Sequence, residues 1–349
     1  MIDFRYHLVS IVAVFLALAV GIVLGSTELR GAALSALDRT SSSLSNKLDA
    51  ANNENAALQQ QVQGDHQFAA AAEPVLLKNL LEGKRVVIVT TPGAPSPVVN
   101  GVKTSLSDAG ATVSGQVALS AKFADTSASN LSLLDQLTAR VTPASLTPVN
   151  GTPQQQAAQV LASALVSQGS SNSNGGGNSN GNGSGGNSKN ASISSQSAQT
   201  ILSSYSAGQY ITVSGQASSG ATLAVIVTPS TIPTGGNSDP ANQAVVALAQ
   251  EFGSGSQATV VAGPAAASGP GSAISAVRAS GAANDASTVD NADTVVGQIV
   301  AVQALEQQMN GQKPGSFGIQ SDANSAGPSP APTASPSPSS STSKSSKGK

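Results

Sequence analysis

The chain has 349 residues, enough for one sizeable domain plus accessories. Only 10% are charged, and Lys+Arg 16 against Asp+Glu 18 leave a net charge of -2, so no basic field exists to hold a nucleic acid. The absence of cysteine excludes disulfides, thiolate catalysis, zinc–thiolate sites and iron–sulfur clusters.

Leu8 to Leu24 reads LVSIVAVFLALAVGIVL, without a charge. That run lies at the short end of what a helix needs to cross a hydrocarbon core of roughly 30 Å. The spacing predicts a single transmembrane helix over residues 1–28, with Leu8, Ile11, Phe15, Leu18, Ile22 and Leu24 as its apolar surface. Phe4 and Tyr6 flank it where amphipathic rings favour the headgroup level, and Arg5 favours a cytoplasmic N-terminus with the remainder exported. A cleaved signal peptide is the rival, because Ala17-Leu18-Ala19 has the form of a cleavage site. The run exceeds the usual h-region, and the residues after that site are as apolar as those before. An uncleaved anchor in the cell membrane follows.

Residues 29–73 are polar, helix-favouring and free of proline. Leu37, Leu44, Ala51 and Leu58 fall at d positions, and Leu34, Ser41, Leu48, Asn55 and Val62 at a positions. Alternating three- and four-residue steps make a coiled-coil seam, and a buried Asn55 favours a parallel homodimer in one register. The alternative is one amphipathic helix lying on the exported domain. Gly64 and Pro74 mark where the seam frays and stops.

From Leu76 the pattern changes. Lys84–Thr91 (KRVVIVTT) is a continuous β-branched run suited to a strand buried on both faces. Val98–Ala109 has helical spacing, Gly110 ends it, and Thr112–Leu119 offers the next strand, which together make a βαβ unit. Tyr210–Val213, Thr222–Thr228 and Ala258–Gly263 are further strand candidates. Ala241–Phe252, Ser272–Ala279 and Asp293–Asn310 are helix candidates, the first with Val245, Leu248 and Phe252 on one face. The last takes Ser287-x-x-Asp290 as a capping box, Val296, Ile299, Val300, Val302 and Leu305 as its buried face, and Gly311 as its C′ residue. Residues 168–190 carry no hydrophobic side chain and read as a flexible insert, and the Pro/Ser-rich 321–349 as a disordered tail. The fold class is therefore α/β: an N-terminal transmembrane helix, a coiled-coil stalk, and a Rossmann-like domain over 76–320 with a mostly parallel sheet.

Chemistry is scarce. His7 and His66, the chain's histidines, both precede the α/β region, which excludes a Ser-His-Asp system there. TTPGAP after the first strand is neither dinucleotide fingerprint nor P-loop, and GSGSQATVV at Gly253 precedes a strand and reads as a loop. Asp285, Asp290 and Asp293 are imaginable as hard-cation ligands, yet their place before a helix explains them as cap and dipole partners. No catalytic, cofactor-binding or metal-binding residue is assigned, and an enzyme is not expected.

The ends of the chain resemble a family. RYHLVSIVAVFLALAVGIVLGS at Arg5–Ser26, GKRVVIVTTPGA after the heptad stretch, and the block Ser287–Gly318 are similar to the actinobacterial copper-transport proteins of the MctB type. The resemblance leaves out the 168–190 insert and the tail. It implies an envelope protein that limits intracellular copper by efflux or homeostasis, with copper as the transported ion and an outer-membrane channel role. The residues show no copper path, since a soft Cu(I) site wants Cys or Met sulfur and the methionines are Met1 and Met309. On the residues alone, a non-catalytic structural or interaction protein of the envelope, with an envelope protein as partner, is the alternative.

Overall fold

The computed structural model describes residues 4–168, 193–218 and 220–329, with the side chains of 4–5 and 26–34 outside that description. Leu34 is thus placed as a helical position alone, and the insert beyond Gln168 lies outside the described residues, as do residues 330–349 of the expected 321–349 tail. Residues 321–329 are described and tied to the domain instead, the Asn324 amide donating to the Ser316 carbonyl at 2.8 Å. Two units divide the chain, Met1–Gln67 and Phe68–Lys349.

One helix, α1, runs from Phe4 to Leu77 over 74 residues. It passes through Gly64 without a break and includes Pro74, so the helix itself runs past both residues that mark the end of the heptad seam. A proline so near a helix end removes one backbone bond only, and the turn beyond it is held by packing. Leu77, and Leu81 just after the helix, are wholly buried in the second unit.

That unit is a seven-stranded sheet of order β3-β2-β1-β4-β5-β6-β7. Its strands are β1 (Arg85–Thr90), β2 (Thr112–Leu119), β3 (Ile211–Gly215), β4 (Leu223–Val227), β5 (Ala258–Ala262), β6 (Ser287–Val289) and β7 (Ser316–Phe317). All neighbours run parallel except β3, which pairs antiparallel to β2 at one edge. The continuous apolar runs fit because both sheet faces are covered. Val86 and Ile88 of β1 and Val225 of β4 meet one helical layer; Val87, Val89 and Ile226 meet the other.

The first layer holds the end of α1, α2 (Ser96–Asp108) and α9 (Val295–Met309). The second holds α3 (Ala121–Ala124), α4 (Ala128–Val141), α5 (Pro153–Leu165), α6 (Ser195–Ala207), α7 (Pro240–Gly255) and α8 (Ala273–Arg278). The helices α4 to α6 were not assigned from the sequence. In α5 four of the ten buried side chains are alanine, and Gln154, Gln159 and Ser163 are among the rest, which blurs the apolar stripe. Its start was legible: Thr152 and Gln155 form a capping box with Pro153 at the first turn. Gly253 and Gly255 belong to the last turn of α7 and not to a loop, because that turn packs beside Phe252 in the core.

Candidate functional site

The helix surface from Tyr6 to Gly25 is apolar and unburied, with a mean hydropathy of 2.9, and is long enough to cross a membrane. Leu8, Ile11, Phe15, Leu18, Ile22 and Leu24 are all exposed on it. Along the same helix Leu37, Leu44, Leu48, Leu58 and Val62 are exposed too, each by more than half of its surface. The Nε2 of Gln59 donates to the Oδ1 of Asn55 at 3.1 Å.

In the α/β unit the chain leaves β1 for α2 on one face and returns as β2, whereas it leaves β4 for α7 on the opposite face and returns as β5. Crossovers that diverge in this way open a crevice outside the carboxyl ends of the two central strands. Thr91 closes its floor, donating from both its amide and its Oγ1 to the Val227 carbonyl, at 3.1 and 3.0 Å. Gly93, at φ +82°, turns the chain away, and its carbonyl accepts from the Ser230 amide at 3.0 Å. The cavity has a volume of about 270 Å³. Leu119, Phe123, Ala244, Val245 and Leu248 line it, and Asp125 and Asp239 stand on its wall. Asp239 caps α7 through the Ala241 amide at 2.9 Å, and Asp125 accepts from the amide and hydroxyl of Ser127 at 2.9 and 3.0 Å.

Of the three aspartates before α9, Asp285 follows the 3-10 turn Gly281–Asn284, and the other two have different partners. Asp290 is wholly buried: its Oδ2 accepts from Nη2 of Arg278 at 2.9 Å and its two oxygens accept from the Ile319 and Gln320 amides. Asp293 accepts from the Ala265 amide at 2.9 Å. The cap of α9 is instead Thr294, whose hydroxyl accepts from the Gly297 amide, because Ser287 to Val289 are drawn into the sheet as β6. Val296 is 45% exposed and so leaves the expected buried face, while Ile299, Val300, Val302 and Leu305 stay on it. Gly311 takes the left-handed conformation expected of a C′ residue, at φ +79°. Among the described residues no group of three or more His, Cys, Asp or Glu comes together as a metal site.

Sequence reasoning missed Arg278. Its guanidinium, 5% exposed, also donates to Thr288 Oγ1, the Phe317 carbonyl and Asp322, which ties α8 to β6, β7 and the chain beyond Gln320. It missed Glu73 as well, a buried carboxylate near the end of α1 that accepts from the Ser105 hydroxyl of α2. The signal available for both was a charged side chain inside an otherwise apolar segment, which the scarcity of charge made conspicuous.

A family model described as "Copper transport outer membrane protein, MctB" matches residues 1–328. The chain belongs to the MctB family. Among curated members, the "Copper transporter MctB" of Mycobacterium tuberculosis H37Rv is 29% identical over 330 residues, covering 93% of this chain and 98% of the relative. That of Mycobacterium leprae is 29% identical over 336 residues at the same coverage. The match to the MctB model therefore takes in the apolar helix, the heptad stretch and the whole described sheet.

Proposed function

We propose that this chain is a membrane-anchored envelope protein that acts in copper transport or copper homeostasis. The observation that carries the reading is family membership across residues 1–328, joined to curated relatives named as copper transporters. The apolar helix Tyr6–Gly25 supplies the anchor, and Arg5 on its short side orients the α/β domain outward. Growth of a strain lacking the chain, across copper concentrations and with intracellular copper measured alongside, tests the role. Higher intracellular copper and earlier growth arrest are expected; wild-type copper tolerance overturns it.

The α/β domain serves that role without catalysis and without holding copper itself. Between Pro74 and Gln308 there is no Cys, Met or His, and Cu(I) selects sulfur and imidazole over carboxylate. The described strands form an open, mostly parallel sheet covered on both faces, whereas a membrane barrel is closed and antiparallel. These observations favour a second reading, in which the chain is an interaction protein of the envelope and its copper effect is indirect. A parallel homodimer is part of the proposal, because a second helix meeting the exposed leucines at heptad spacing would remove them from water.

A further inference from the structure

The cavity where the chain diverges from β1 and β4 has the build of a ligand site, and its chemistry is unlike that of the nucleotide sites common to such crevices. Its walls come from three separate segments: Thr91 and Pro92 after β1, Ser120 to Asp125 after β2, and Pro229 with the first half of α7. No phosphate-binding loop lies among them: Thr91-Pro92-Gly93 carries no glycine-rich phosphate motif, and Asp239 already takes the Ala241 amide in the first turn of α7. Among the described residues no cation lines it either. Lys122, the basic residue of the β2–α4 segment, donates to the Gly208 carbonyl at 3.0 Å and lies over the Tyr210 ring at 4.5 Å. The charged groups on the wall are carboxylates, and among the described residues neither Asp125 nor Asp239 has an ion-pair partner.

The geometry points to a binding site for a compact apolar molecule that carries no negative charge. An apolar cavity of about 150 Å³ accommodates benzene, so about 270 Å³ suits a fused two-ring compound or a branched alkyl group of similar bulk. Burial of the ligand against Phe123, Val245 and Leu248 supplies the driving force, in proportion to the apolar area removed from water. Asp125, exposed, and Asp239, half-buried, stand at the rim and disfavour anions of the same shape, since a like charge beside them is repelled, most strongly at low ionic strength. This inference is independent of the copper role.

The test uses the full chain in lipid nanodiscs, with leucine, valine and alanine methyl groups isotopically labelled for NMR, and empty nanodiscs as the partition control. Two probes of one size are titrated: neutral 1-naphthalenemethanol and anionic 1-naphthoate. The neutral probe is expected to shift Leu119, Val245 and Leu248 methyl signals saturably below millimolar concentration, with naphthoate at least tenfold weaker. Ala244→Phe fills the cavity from α7 and Ala241→Leu does so from its first turn; each is expected to weaken the neutral probe tenfold or more while the protein still melts cooperatively. If Ala244→Phe does not fold, Ala241→Leu decides. No saturable shift at these methyls, equal affinity for naphthoate, or full binding by the folded cavity-filled variants overturns the inference.

Discussion

Arg278 shows how much one side chain holds when charge is rare. Its guanidinium and the Asp290 carboxylate are both out of water, and such a pair is costly to break because the survivor stays buried without its counterion. Arg278→Met is expected to lower the stability of the α/β unit by about 3–5 kcal/mol, read as a fall in its melting transition. Gly318 beside it has φ +131°, and a Cβ there would overlap the Asp290 carboxylate, so Gly318→Ala is expected to destabilise the same corner. Tyr205, on α6 of the same helical layer, reports on a different part of the core. Burial pushes its phenol above its ordinary value near 10, opposed in part by the 2.8 Å hydrogen bond with Thr138. The folded state thus favours the neutral phenol, so this contribution is complete below about pH 10 and is lost as pH rises beyond it. Urea midpoints between pH 8 and pH 11 check this: wild type is expected to lose stability above pH 10 more steeply than Tyr205→Phe.

At the scale of elements, α1 sets the clearest test. Its exposed leucines recur at a and d spacing, and a chain without cysteine lets a single introduced thiol report on pairing. In a parallel dimer Leu48 meets its twin, whereas Asn46, two residues earlier, points away from the seam. Leu48→Cys is expected to form an intermolecular disulfide under mild oxidation and Asn46→Cys to form far less, as read by non-reducing electrophoresis. Equal cross-linking at both positions, or none at either, overturns the dimer. The cap of α9 offers a smaller effect: Thr294→Ala removes the acceptor for the Gly297 amide and is expected to cost about 1 kcal/mol.

For the whole molecule, topology and metal chemistry are the consequences that matter. The proposed orientation, with Arg5 on the cytoplasmic side, predicts that protease added to spheroplasts degrades the α/β unit, and protection of that unit would reverse it. Titration of the full chain against a Cu(I) chelator is expected to show no stoichiometric submicromolar site within residues 76–320, since carboxylates and backbone oxygens are hard ligands. A site of that strength there would mean the domain handles copper directly.

Local signals were sufficient where one residue type dominates a short span. The N-terminal apolar helix, β2, β4, β5 and the helices α2, α7 and α9 were readable because β-branched runs and helical stripes depend on neighbours within a few residues. The same signals failed where a partner distant in sequence decides the outcome. Ser287 to Val289 looked like a helix cap and became β6, because Val260 to Ala262 offered a parallel edge to pair with. Asp290 looked like a dipole partner and became a buried counterion, because α8 and the segment after β7 bring Arg278 and two backbone amides to it. The cavity beyond β1 and β4 was invisible for the same reason. Its walls are residues some 150 positions apart that share no motif, and only the strand order, which rests on long-range hydrogen bonding, brings them together.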